Sequence, residues 1–149
     1  MNHQQAAGGA NYTEKLIVNV PFHLSFCVSD LESSRAFYAG VLGCREGKST
    51  ATYVDFAFYG NQLTCHLAPE LVRPASEFGL DGNHFGAILP AAEFGKLLSA
   101  LQAHNVRFLK EPETQHAGTP RERRKMMFVD PSGNAIEIKS YSDAASIFG

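Results

Sequence analysis

The strongest constraint on this chain is that it writes one unit twice. "HLSFCV", residues 23 to 28, and "HFGAIL", residues 84 to 89, each place a histidine at the head of an apolar run, sixty-one residues apart. Seven residues after each histidine a helical pattern begins, at Asp30 and again at Ala91. Arg45 and Arg107 then trail their histidines by twenty-two and twenty-three residues. A period of about sixty residues is too long for a solenoid repeat, so it reads as a duplicated module.

The first unit alternates from its start. Phe22, Leu24, Phe26 and Val28 fall on one side of a strand, and His23, Ser25 and Cys27 on the other. "SDLESSRAFYAGVLG" follows as a helix, with Ser29 or Asp30 as N-cap, Leu31, Ser34, Tyr38, Val41 and Leu42 on one face, and Gly43 suited to a left-handed stop. "ATYVDFAFYG" and "QLTCHLA" alternate again around a tight Gly60-Asn61 turn. After a connector over 69–83, rich in proline and glycine, the pattern restarts. "HFGAIL" is a strand. The helix after it has Pro90 near its start, Phe94, Leu97, Leu98 and Leu101 on one stripe, and Asn105 to close it. "VRFL" is a short strand, and residues 110–124, "KEPETQHAGTPRERR", read as a long polar loop fit to cover a site. Its Arg121–Arg124 run reads as solvated charge. "KMMFVD" and "NAIEIKSY" are strands joined by a "PSG" turn. Each half is therefore strand, helix and about three strands. The expected organisation is a disordered polar arm over 1–18 and one domain over 19–149, with modules at about 19–68 and 84–141.

Aligning the modules brings four polar residues to matched addresses. His23 heads the first strand of module one and His66 lies on its last; His84 and Glu137 do the same in module two. Each sits on the side opposite the apolar one. A lone strand histidine is ordinarily a packing residue, and a lone outward glutamate is ordinarily solvated. Four together are the reason to read a divalent-metal site, because imidazoles and a carboxylate on rigid strands leave coordination positions open for a substrate. Tyr53, Asp55, Gln62 and Thr64 share that side and are candidates for lining a substrate pocket. A net charge of −2 gives no reason to expect nucleic acid or an acidic membrane as partner. No apolar run approaches the roughly eighteen residues that span a bilayer. Three cysteines without a CxxC pair read as free thiols in a reducing compartment, the cytoplasm.

"HLSFCVSDLESSRAFYAGVLGCR", "HFGAIL" and "MFVDPSGNAIEIKSY" together resemble the vicinal oxygen chelate superfamily, which includes glyoxalase I, extradiol ring-cleaving dioxygenases, fosfomycin-resistance enzymes and bleomycin-binding proteins. The resemblance runs from about Pro21 to Tyr141. It implies an α+β fold in which paired βαβββ modules form a curled, cup-shaped mixed sheet. It implies that His23, His84 and Glu137 match the family's metal positions, with His66 as a fourth ligand or an acid–base group. The reaction it implies first is extradiol-type ring cleavage with Fe(II). A glyoxalase-type lyase or isomerase using Ni, Zn, Mn or Mg is the alternative, and a metal-free drug- or metabolite-binding protein is another. The implied partners are a small oxygenated, vicinal-diol-like substrate and a second copy of the chain in a homodimer.

Overall fold

A computed structural model describes residues 20–75 and 82–149; the N-terminal arm and part of the connector lie outside the described residues. The chain forms β1 (His23–Val28), α1 (Leu31–Arg35), β2 (Arg45–Ser49), β3 (Tyr53–Phe58) and β4 (Asn61–Leu67). It then forms β5 (His84–Ile88), α2 (Ala91–Ala103), β6 (Phe108–Gln115), β7 (Arg123–Val129) and β8 (Ala135–Tyr141). The duplication is explicit in the pairing. One mixed sheet has the order β1-β4-β3-β2 and the other β5-β8-β7-β6, the same order shifted by four. Among the described residues these remain two sheets and do not join into a closed one.

Asp30 caps α1, its carboxylate accepting the Ser33 N–H at 2.6 Å. The helix widens into a π-turn over Ala36–Val41. It ends where Gly43 turns left-handed at φ 73° and the Cys44 N–H reaches back to the Tyr38 carbonyl. In α2 the stripe of Phe94, Leu97 and Leu101 is buried, and Asn105 closes the helix at φ 53°. Both modules feed one core. Val28, Phe56 and Leu63 of the first sheet and Met126, Phe128 and Ile136 of the second belong to it, with Tyr38 and Phe94 from the helices. Each such fully buried side chain contributes about 1.5–3 kcal/mol. Burial also pushes the Cys44 thiol up to about 11, so it is inert at neutral pH.

A polar knot fastens the modules to each other. Asp130, in the turn between β7 and β8, accepts the backbone N–H groups of Ser132 and Asn134 on Oδ1. Its Oδ2 accepts the Tyr38 hydroxyl from module one and the Asn134 side-chain amide. That amide also donates to the Cys27 carbonyl, and the Ser132 hydroxyl accepts the Ser29 N–H. The "DPSGN" stretch is thus a junction as well as a turn. Burial pushes the Asp130 carboxyl above its usual range, and the four donors counter that only in part.

Two expectations are corrected. The span 110–124 is mostly strand. β6 runs through Gln115 and β7 starts at Arg123, leaving a loop of only 116–122. Its strands pair through the backbone ladder, and their cross-strand side chains, such as Glu113 with Lys125, N···O 3.1 Å, are polar on a strand bulged around Pro112, so the span lacks an apolar signature. The arginine run is split by the same boundary. Arg123 donates to Gln115, and Arg124 lies 4.4 Å over the Phe94 ring, so neither is free surface charge.

Candidate metal centre

β5 and β8 are parallel neighbours, with His84 level with Ala135 and Gly86 level with Glu137. Ile136 and Ile138 are fully buried, which turns Glu137 and Lys139 to the opposite face. There His84 Nε2 lies 3.4 Å from Glu137 Oε2. The histidine is oriented from behind, because its Nδ1 lies 3.1 Å from the Gly82 carbonyl. A carbonyl only accepts, so Nδ1 carries the proton and Nε2 is left facing the carboxylate.

That pair fits a divalent cation. The Nε2 lone pair and the carboxylate oxygen, 3.4 Å apart, can share one cation between them. Metal–nitrogen and metal–oxygen bonds of about 2.1 Å, meeting at angles between octahedral and tetrahedral, span roughly 3.0–3.4 Å. Lys139 supplies a positive charge in this structure, its Nζ 3.1 Å from the same Glu137 oxygen. His84, Glu137 and Lys139 line a groove of about 270 Å³, and His84 also borders an apolar cleft of about 480 Å³ with Leu24, Phe26, Phe85 and Ala135.

His23 and His66 are not brought to this pair. Both are exposed on the first sheet, and among the described residues no three His, Cys, Asp or Glu side chains gather closely enough to hold a metal. The register also corrects the alignment of addresses. Glu137 stands two residues beyond the residue level with His84. In the first sheet His23 is level with Gln62, so the corresponding address is Thr64. His66 lies two residues further, about 7 Å along β4, level with Cys27 and Tyr53. Matching by the aliphatic residue that follows places it one pleat too far.

The remaining candidates form their own cluster. Asp55 accepts from Thr64 Oγ1 at 2.6 Å and from Gln62 Nε2 at 3.2 Å, with Asp55 and Thr64 buried. Tyr53 packs against His66 with ring centroids 5.8 Å apart. These four residues line neither cavity at His84. Two residues of the centre escaped sequence reasoning. One is Lys139; the other is Gly86, where an added Cβ would stand 1.5 Å from the Glu137 carbonyl oxygen. The signal for Gly86 was available, since "HFG" replaces "HLS" in an otherwise parallel pair. Gly86→Ala is expected to push β5 off β8, costing about 3 kcal/mol or more and separating His84 from Glu137. Urea unfolding and metal titration of this variant check both effects.

The family model described as "Glyoxalase/Bleomycin resistance protein/Dioxygenase superfamily" matches residues 21–138. The metallothiol transferase FosB of Lysinibacillus sphaericus (strain C3-41) is 32% identical over 119 residues, covering 78% of this chain and 78% of that protein. The crystal structure of a glyoxalase/bleomycin resistance protein/dioxygenase from Alicyclobacillus acidocaldarius superposes with a TM-score of 0.75 at 28% identity, over 87% of this chain and 96% of that one. The fold, at 16% identity, is also that of the fosfomycin resistance protein FosX of Listeria monocytogenes, with a TM-score of 0.69 over 88% of this chain and 100% of that one.

Proposed function

This chain belongs to the glyoxalase/bleomycin resistance protein/dioxygenase superfamily, and we propose that it is a metal-dependent enzyme that adds a nucleophile, a thiol or water, to a small oxygen-rich electrophile. The observation that carries the reading is the pair of His84 Nε2 and Glu137 Oε2, 3.4 Å apart and oriented from behind by Gly82. The thiol is favoured by the similarity to a protein named a metallothiol transferase.

His84 and Glu137 would hold the cation together with His23 from a second copy of the chain. A bound divalent cation supplies Lewis acidity to a substrate oxygen. The second copy is favoured by the absence of a third donor beside the pair among the described residues. It is favoured too by the placement of β1 and β5, the strands that carry the two histidines, at the edges of their sheets. Thr64 stands at the fourth address, where its hydroxyl is committed to Asp55, so three protein ligands leave positions open for substrate. His66 of that second copy, exposed and further along β4, would take the proton that the incoming nucleophile gives up. The apolar cleft beside His84 would exclude water from one side of the substrate.

The second reading is ring-cleaving dioxygenation, favoured by the donor set itself, two histidines and one carboxylate with open positions. One assay separates them. Protein reloaded with Mn(II), Zn(II) or Fe(II) is given electrophiles with a thiol, and catechols with oxygen. Metal-dependent thiol consumption without oxygen uptake is the expected result. Oxygen uptake with a catechol supports the second reading and overturns the first. Ligand binding unchanged by chelator, with no turnover, overturns both in favour of a metal-free binding protein.

A further inference from the structure

In module two a backbone carbonyl behind the ring decides which nitrogen of His84 carries the proton. His23 heads the matching strand of module one, and the group beside it there is a side chain. Gln62 is level with His23 across the parallel β1–β4 pair, so both side chains leave the sheet on one face, on strands about 4.8 Å apart. β4 stands between β1 and β3. On the β3 side the Gln62 amide donates from Nε2 to Asp55 Oδ2 at 3.2 Å. A carboxylate oxygen accepts, so the amide has one orientation: its NH2 group is turned to β3, and its carbonyl oxygen is left on the side of β1. Asp55 is itself held in place. Thr64 Oγ1 donates to its other oxygen at 2.6 Å, and the residue is only 8% exposed. Gly47 on β2 backs it closely, since a Cβ there would stand 3.3 Å from the Asp55 Cβ. A buried carboxylate two strands away thus removes the freedom of the amide beside His23 to flip.

We infer that Asp55 and Gln62 are positioning residues for His23: Asp55 holds the Gln62 amide so that its Oε1 accepts the His23 Nδ1–H, which leaves the Nε2 lone pair for the cation. The two copies of the repeat then do one job with different atoms, a backbone carbonyl in one and a side-chain carbonyl in the other. The inference rests on the metal reading above and deepens it, because His23 is the ligand that the opposite copy brings. An exposed imidazole exchanges between two tautomers and several ring orientations. Fixing one of each within its own chain prepares the ligand before the copies meet, and removes that ordering cost from metal binding.

The test is nitrogen–proton NMR of the histidine rings in the metal-free full chain, at alkaline pH where imidazoles are neutral and each tautomer has its own pattern of ring-nitrogen shifts. In wild type His23 is expected to be the Nδ1–H tautomer. Gln62→Leu should lose that pattern and weaken Mn(II) binding by about tenfold, read by electron paramagnetic resonance of free Mn(II). Gln62 is exposed, so its replacement leaves the core untouched, and unchanged shifts of His84 establish that the fold is kept. The double variant Asp55→Asn, Gln62→Glu exchanges amide and carboxylate at constant charge. Its amide can donate to one carboxylate oxygen while the other faces His23, so it should restore both the tautomer and the affinity. An Nδ1–H fraction in Gln62→Leu equal to wild type, or an Nε2–H ring in wild type, overturns the positioning role and leaves the metal reading intact. No Mn(II) binding by wild type overturns both.

Discussion

Replacing Glu137 with glutamine is expected to weaken divalent-metal affinity by more than about 100-fold and to abolish metal-dependent turnover, with the fold retained. The magnitude follows from what is removed. Outer-shell partners of metal ligands already cost about 10–100-fold when mutated, and among the described residues Glu137 is the only carboxylate lining the groove with His84. The amide keeps the volume of the side chain. Ile136 and Ile138, which anchor β8 in the core, are untouched. Lys139 loses its present partner in this variant. Isothermal titration with Mn(II) or Zn(II) measures the affinity, and urea unfolding the stability. A glutamine variant that binds metal as wild type does would remove Glu137 from the centre.

The second large effect comes from mixing two inactive proteins. His23→Ala and Glu137→Gln chains, each inactive alone, are expected to regain about a quarter of wild-type activity when exchanged at equal ratio, if each centre takes its histidine from the opposite copy. Half of the randomly assorted dimers are mixed, and one of the two centres in each is then intact. A centre built within one chain gives no recovery, because each chain carries a lesion in its own set. The monomer supports the first outcome. His84 and Glu137 meet, and His23 lies on the other sheet. Subunit exchange under mild denaturant followed by assay decides it.

Much of this was legible before the structure. The alternation of "HLSFCV" and "YVDFAF", the N-cap Asp30 and the stop at Gly43 are local signals, and local forces decide them. The duplicated strand order follows from the same signals written twice. What stayed hidden depends on pairing. That Thr64 rather than His66 answers to Glu137 follows from which residues are level across β1 and β4, and sequence spacing does not carry register. β2 is exposed along its whole length, and β6 beyond Phe108 and Leu109 carries polar side chains, so neither shows a continuous apolar face to read. Lys139 was hidden for another reason. A lysine on a half-buried strand looks solvated until the carboxylate it meets is seen.

The knot at Asp130 has a consequence for how the molecule comes apart. Its acceptors and donors are drawn from both copies of the repeat, and the Tyr38 hydroxyl is fully buried against the turn of the other module. A single module cut at the connector would expose that carboxylate's partners to an apolar void or to water, and it would lose half the common core. The two copies of the repeat are thus joined into one unit by a shared core and this knot. Heat or denaturant is expected to meet one cooperative body and to give a single transition, with neither half stable alone.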